Sequence, residues 1–277
     1  MIVPDFTVLG DRTVLLRFDK AKPFENSAHI MQAKPIEQNA NYQSAEREEP
    51  TGLSEQLAKF SGVLDDMTGV EKFKAACVQG YTARLLETRQ PWIVDCVPAY
   101  DTLCVHYDPV ILWQAGVSVS QWFDSLITFA YVPIERNRVR AHRIPVCYDP
   151  PFGEDLPWVA STLGMSETEV ITLHLGGKYQ VAMVGFAPGF PYLVGLPPLL
   201  RLPRRATPRS AVPAGSVAIA ELQCGIYPRQ LPGGWHLLGR TPTRLFNPDC
   251  ASPCLLQAGD AVEFYAISPA EFEVLSQ

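Results

Sequence analysis

This sequence is short of charge, of long apolar runs and of paired cysteines. Only 19% of its 277 residues are Asp, Glu, Lys or Arg, and the acids outnumber the bases by 29 to 23, for a formal net charge of −6. An acidic chain carries no general electrostatic footprint for a nucleic-acid backbone or an anionic membrane, so any anion site has to be local. No stretch reaches the ~18 to 20 apolar residues that a membrane helix needs. Asp5 and Asp11 stand where a signal peptide would carry cations ahead of an apolar run, so a cytoplasmic protein is expected. The seven cysteines are odd in number and contain no C-x-x-C, which reads as reduced thiols buried in the core rather than a disulfide frame or a zinc site. The five histidines (29, 106, 142, 174 and 236) include no two at ligand spacing, so no metal site is expected. Apolar material is ample at 47%, enough for a sizeable core in one large domain or two of ordinary size.

Along the chain the residue pattern changes character twice. Residues 6–18 have a Gly-Asp turn followed by a β-branched and aliphatic run that suits a strand. Residues 19–66 hold Pro23, Pro35, Pro50, an Asn/Gln cluster and the run Glu46-Arg47-Glu48-Glu49. That composition buries too little to offset ordering entropy, which predicts a mobile insertion with one helix near 53–66. Val70, Phe73, Ala76, Cys77, Tyr81 and Leu85 recur at helical spacing. WIVDCV at 92–97 and LCVHY at 103–107 form a hairpin, and Ser118 with Gln121 opens a helix whose buried face is Trp122, Leu126 and Phe129. RVRAHRIPV at 138–146 closes the set as a strand. The order β-α-β-β-α-β predicts a ferredoxin-like α+β domain over 1–146.

After Asp149-Pro150-Pro151 a second domain, 147–277, begins. Leu156, Val159, Ala160 and Leu163 mark a helix that ends at Gly164, and the box S-E-T-E at 166–169 opens another that stops at Gly176-Gly177. YQVAMVGF, SVAIA, WHLLG and AVEFYAI then alternate with Pro/Gly turns, which predicts an all-β barrel or tight sandwich.

The chemistry concentrates in 185–248, which holds eleven prolines and eight glycines. Six aromatics interleave with them and need burial, so these loops should be ordered and stiff. Between 201 and 244 stand seven arginines (201, 204, 205, 209, 229, 240 and 244), no lysine and a single acid, Glu221. Guanidinium is a planar fork matched to carboxylate and phosphate, so the cluster predicts a shared anion-binding cleft. The competing reading pairs these arginines with acids of the first domain or of a partner chain. GFAPGFPYL lacks the Gly-Lys-Ser/Thr of a nucleotide loop. P-A-G-S-V is not a nucleophile elbow, so Ser216 reads as a turn hydroxyl. His174 reads as a satisfied core residue, and His236, presented by a Gly-Gly turn, as a candidate base.

GFAPGFPYL at 185–193, PRRATPRSAVPAGSVAIA at 203–220, GIYP at 225–228, PGGW at 232–235 and LGRTPTRLFNP at 238–248 resemble the signatures of the 5-oxoprolinase B-subunit family. That family also contains the kinase inhibitor KipI and allophanate hydrolase subunit 1. VPAYDTLCVHYDP at 97–109 and IPVCYD at 144–149 extend the resemblance over nearly the whole chain apart from 19–66. It implies a ferredoxin-like amino-terminal domain, a cyclophilin-like β-barrel and a subunit inactive alone. The implied reaction is ATP-dependent opening of 5-oxoproline to glutamate by a complex that uses ATP with Mg, alongside a homologous C subunit and a substrate-handling A subunit. Carried over by position, Arg209, His236 and Arg240 are implied as catalytic, and Arg205, Tyr227, Gly233, Gly234 and Thr241 as binding substrate or anion. Phe186, Pro188, Phe190, Tyr192 and Trp235 would wall the pocket. Arg209→Ala is then expected to abolish turnover without unfolding the protein. Two positions depart from the family pattern, Cys224 for Thr and Leu231 for Ser. The alternatives are KipI-like binding of a sensor histidine kinase and an allophanate- or urea-metabolising subunit. Prolyl isomerase activity would rest on fold alone, and fold does not carry function.

Overall fold

A computed structural model describes residues 5–18, 67–127 and 140–277. The insertion expected at 19–66, with its helix, and the Phe129 end of the expected helix face lie outside the described residues.

The strand expected after the Gly-Asp turn is present, and the residues before the turn pair with it to make a hairpin. Gly10 adopts the left-handed conformation, φ +76°, and turns the chain between β1 (Asp5–Val8) and β2 (Thr13–Arg17). After helix α1 (Met67–Glu87) come β3 (Ile93–Ala99) and β4 (Thr102–Tyr107), the hairpin expected from the sequence. Two helices follow, α2 (Pro109–Gln114), capped by the Asp108 carboxylate, and α3 (Val119–Ile127). The four strands form one antiparallel sheet in the order β1-β2-β4-β3. Alternation in β2 and β4 turns Val14, Leu16, Leu103 and Val105 to one face. There they meet Cys77, Val78, Tyr81 and Leu85 of α1 and Leu112, Trp122, Phe123 and Leu126 of α2 and α3.

The strand expected to close this sheet does something else. β5 (Ala141–Val146) pairs in parallel with β13 (Ala261–Ala266), six residues in register, so it belongs to the carboxyl-terminal sheet. The β-α-β-β-α-β order is therefore not what the described residues show. The burial of Ile144, Pro145 and Val146 suits a core strand in either place, and local pattern could not choose the partner.

Helix α4 (Leu156–Leu163) ends on Gly164 in the left-handed conformation, φ 67°, and α5 (Glu167–Gly176) opens on a capping box in which Ser166 and Glu169 satisfy each other's amides. The remaining strands are β6 (Tyr179–Val184), β7 (Pro191–Val194), β8 (Arg209–Val212), β9 (Ser216–Ala220), β10 (Gln223–Ile226), β11 (Leu231–Gly233) and β12 (His236–Arg240), with α6 (Pro269–Leu275) last. Seven strands make one sheet in the order β12-β9-β10-β7-β6-β13-β5, and β8 with β11 forms a separate ribbon. The sheet curls until its edges nearly meet: Cys147, just past β5, exchanges backbone hydrogen bonds of 2.8 and 2.9 Å with Arg240 of β12. The protein is thus mixed α+β with a nearly closed, barrel-like sheet.

β9 shows why the barrel wall is buried on both sides. Val217 and Ile219 point into the interior with Leu193, Ile226, Leu238 and Phe264. Ala218 and Ala220 face outward, where small side chains leave room for an aromatic layer of Phe190, Tyr227 and Trp235. All five β9 residues are buried.

The cysteines only partly meet expectation. All seven stand outside disulfides, but just Cys77, Cys147 and Cys224 are buried, and Cys250 is exposed. Among the described residues no helix is long and apolar enough to cross a membrane.

Candidate functional site

The site grows outward from the aromatic layer. Phe190 is the hub, packing edge-on to Phe186, Tyr192, Tyr227 and Trp235 with ring centroids 4.9–5.9 Å apart. Gly225 lies beneath it, and an added Cβ there would meet Phe190 and Trp235 at 2.8 and 3.0 Å. The Gly185–Phe190 turn holds Phe186 at φ 69°, a conformation a bulky residue seldom adopts, and leaves that ring 60% exposed at the rim. Of the expected pocket wall, Phe190 and Trp235 are buried in the layer, Tyr192 is half-buried, and Phe186 and Pro188 are exposed. Burial pushes the Tyr227 hydroxyl up to about 12 despite the nearby Arg204 and Arg209 charges.

Arg209 opens β8 directly opposite Gly233 of β11, which brings it beside Tyr227. A side chain at Gly233 would collide with the Tyr227 ring, so glycine is required there. Gly234 accepts a 2.8 Å hydrogen bond from the backbone of Arg205 and so ties the arginine loop to the β11–β12 turn.

Between Arg205 and Arg209 lies a residue that no sequence signal singles out. Asp155 accepts 2.8 Å hydrogen bonds at Oδ1 from Arg205 Nη1 and Arg209 Nη2. At Oδ2 it accepts from Arg209 Nη1 (2.9 Å) and from the Leu237 backbone amide (2.8 Å). Its side chain is only 6% exposed. Burial favours the neutral acid, but the hydrogen bonds from Arg209 and Leu237 and the charges of Arg209 and Arg205 win, holding the carboxyl below its ordinary range. Glu154, half-exposed, adds a looser contact to Arg209 at 3.4 Å. The pairing answers the competing reading of the arginines: their acid comes from the loop leading into α4.

His236 stands next along β12. Its Nε2–H donates to the Pro203 carbonyl at 2.9 Å, which leaves Nδ1 buried without a partner. The ring stacks on Trp158 of α4, 4.7 Å away and 9° from parallel. Arg205 Nε is likewise buried and unpartnered. Such groups cost about 1–3 kcal/mol each, and Ser216 Oγ and Arg240 Nε, paired across β9 and β12, are in the same condition.

Arg201, Arg240 and Arg244 do not join Arg205 and Arg209. Arg240 and Thr241 sit at the other end of β12, roughly 13 Å along the strand from His236. Arg240 lies over the Phe152 ring, 5.6 Å from its centroid, and the Thr241 hydroxyl accepts from the Thr243 amide. Arg201 faces Glu221 at 3.8 Å, and Arg244 donates to the Phe246 carbonyl. Of the arginines expected to bind an anion, Arg205 and Arg209 meet in one site with Arg204 at its edge, while Arg240 stands apart. Spacing could not show this because outward positions around a barrel point in different directions. Among the described residues no three His, Cys, Asp or Glu side chains gather as a metal site requires.

Comparison with known proteins gives this geometry a family. Residues 55–256 match the carboxyltransferase domain, subdomains C and D. The B subunit of 5-oxoprolinase from Bacillus subtilis is 37% identical over 238 residues, 83% of this chain and 96% of the relative. The chain belongs to the 5-oxoprolinase B-subunit family. The protein of the same name from Haemophilus influenzae is 43% identical over 182 residues, 66% of this chain and 83% of that one. The crystal structure of TTHA0988 superposes with a TM-score of 0.61 at 40% identity, over 70% of this chain but 37% of that longer protein.

Within the pattern of the 5-oxoprolinase B-subunit family the two departures fall outside the arginine site. Cys224 points into the barrel, fully buried, with its Sγ 3.5 Å from His174 Nε2. His174 also receives the Tyr148 hydroxyl at 2.8 Å on Nδ1, and burial drives its pKa down to about 3. It is the satisfied core histidine expected. Leu231 packs against the aromatic layer, where an apolar residue fits.

Proposed function

We propose that this chain works as the B subunit of a 5-oxoprolinase, a complex that opens 5-oxoproline to glutamate in a reaction driven by ATP. The observation that carries the reading is the 37% identity to a protein of that name over nearly its full length. The site's geometry supports it: Arg205 and Arg209 face the buried Asp155 and the more exposed Glu154, and with Arg204 at the edge the group keeps an excess of positive charge beside a stiff aromatic wall. An unstrained lactam resists nucleophiles; phosphorylating its oxygen activates the ring carbon to water, the C–N bond then breaks with the nitrogen taking up a proton, and a second water releases phosphate from the resulting acyl phosphate to give glutamate. Positive charge held rigidly near that oxygen stabilises what develops in the transfer. Arg205 and Arg209 would receive the negative charge, Arg204 would reinforce it, and His236 Nδ1 would accept a proton or a substrate N–H. Arg240 and Thr241 have no part in this site. The residues offer no phosphate-cradling glycine loop, so no nucleotide step is assigned to this chain. ATP with Mg belongs to the complex, formed with a homologous C subunit and a substrate-handling A subunit in the cytoplasm. KipI-like inhibition and allophanate metabolism are not favoured by the names of the relatives.

The test is co-purification with candidate partner subunits followed by an assay of ATP-dependent glutamate release from 5-oxoproline. Release that requires the whole complex supports the reading. A stable complex with a histidine kinase and no release, or ammonia from allophanate, overturns it.

A further inference from the structure

We infer that Asp155 is a positioning residue, which holds the forks of Arg205 and Arg209 at one fixed place and thereby sets where negative charge on the substrate is received. The inference rests on the function proposed above for this site.

Asp155 occupies the N-cap of α4, the position where a carboxylate ordinarily accepts from the first turn of its own helix, yet its side chain makes no capping hydrogen bond. It is turned across to the arginines instead. Its own location does not depend on them: the Asp155 amide donates to the Leu237 carbonyl at 3.0 Å and Oδ2 accepts from the Leu237 amide at 2.8 Å, so β12 grips the residue at both ends. From that anchor the two-pronged bond to Arg209 fixes the plane of one guanidinium, and Oδ1 brings Arg205 alongside. Two like charges would otherwise separate, and the carboxylate between them keeps them together. Arg209 commits both terminal nitrogens to acids and is 20% exposed, whereas Arg205 commits Nη1 alone and is 31% exposed. Arg205 thus presents the open edge, and Arg209 acts as its brace. His236, next to Leu237, is set by the same anchor.

The test uses the reconstituted complex carrying Asp155→Asn or Asp155→Glu. Neutralising Asp155 makes the surroundings more positive while freeing the forks. Asp155→Asn is therefore expected to lower kcat by about 100-fold, with KM for 5-oxoproline unchanged or reduced. A purely structural role predicts the opposite: lost folded protein, with kcat per folded complex preserved and KM unchanged or raised. Either of those results overturns the inference. Asp155→Glu keeps the charge but displaces it by one methylene, so kcat should fall with KM unchanged. Wild-type kcat in this variant also overturns the inference and covers the case in which Asp155→Asn does not fold. If the wild-type complex releases no glutamate, the proposed function fails and the inference is judged on the chain itself by NMR. Adding inorganic phosphate should then shift the Arg205 Nε–H signal of the wild-type chain. In Asp155→Asn the ordered Arg205 and Arg209 signals should collapse to the averaged position of mobile side chains while the amide spectrum stays dispersed. Ordered arginine signals in that variant, or no shift in the wild type, overturn the inference.

Discussion

Once Asp155 is seen between the two arginines, Arg209→Ala ceases to be a clean probe of catalysis. The substitution leaves a buried carboxylate with Arg205 and one backbone amide, and breaking such a pair costs about 3–5 kcal/mol. The melting temperature should therefore fall by on the order of 10 °C, measurable by calorimetry on the purified chain. An unchanged melting temperature would mean that the pair is not formed in solution. His174 supplies a second expectation. Its folded pKa of about 3 lies below the ordinary 6.5, so at intermediate pH the unfolded chain binds the extra proton. Stability contributed by the neutral ring is complete above about 6.5 and drains away as pH falls towards 3, by at most about 1.4 kcal/mol per unit. The depressed Asp155 carboxyl adds loss in the same direction at the acid end. Urea midpoints between pH 7 and 4 should fall less steeply for His174→Gln than for the wild type. Cys224→Thr, which restores the family residue inside the barrel, should leave kcat of the complex within about twofold, because this side chain faces His174 and not the arginines. At this scale the sequence was half legible. A cluster of seven arginines announces charge, but Asp155 stands 50 residues from Arg205 and 54 from Arg209, and nothing local distinguishes it from the exposed Glu154 beside it.

Elements whose signals are local were read correctly. The Ser166 and Ser118 boxes, the Gly164 stop and the β3–β4 hairpin each depend on residues within one turn of each other, so sequence spacing is spatial spacing. The Gly10-Asp11 turn and the strand after it were legible for the same reason, since glycine accepts φ +76° without steric strain, whereas the strand before the turn went unread and β5 was misplaced. β5 failed because its partner, β13, lies 120 residues away. The β8–β11 ribbon is the element on which the site depends most, since it sets Arg209 opposite Gly233. In Gly233→Ala the new Cβ runs into Tyr227, so either that ring or the ribbon must move. Overpacking of this kind costs about 1–3 kcal/mol. The variant should show both a lower urea midpoint and a shift in the emission of Trp235, which packs on the same aromatic layer. A stability loss with unaltered fluorescence would place the strain elsewhere.

At the scale of the molecule, the first sheet and the barrel meet through α1, and a polar residue carries much of the joint. Gln79 is 6% exposed and donates from Nε2 to the carbonyls of Val181 and Ala182 in β6, at 3.0 and 3.4 Å. Around it Ala75 of α1 packs against Ala182 and Val194, a patch of small residues that lets the helix backbone approach the barrel wall closely. Such a seam buries little apolar surface, so its strength lies in hydrogen bonds with fixed geometry rather than in area. The helical period correctly predicted a helix with Cys77, Tyr81 and Leu85 inward, but α1 is buried on every side over 77–82 rather than amphipathic, and a glutamine on the far side of the apolar stripe reads as solvated until the barrel's position shows that it is not. Gln79→Leu keeps the volume and removes the donors. If the seam couples the two parts, this variant should lose about 1–2 kcal/mol at the joint and convert one cooperative melting transition into two. Calorimetry would resolve them, the lower one reporting the first sheet and the upper one the barrel with its closed strand order. A single transition at the wild-type temperature would show that the parts are coupled through contacts other than Gln79.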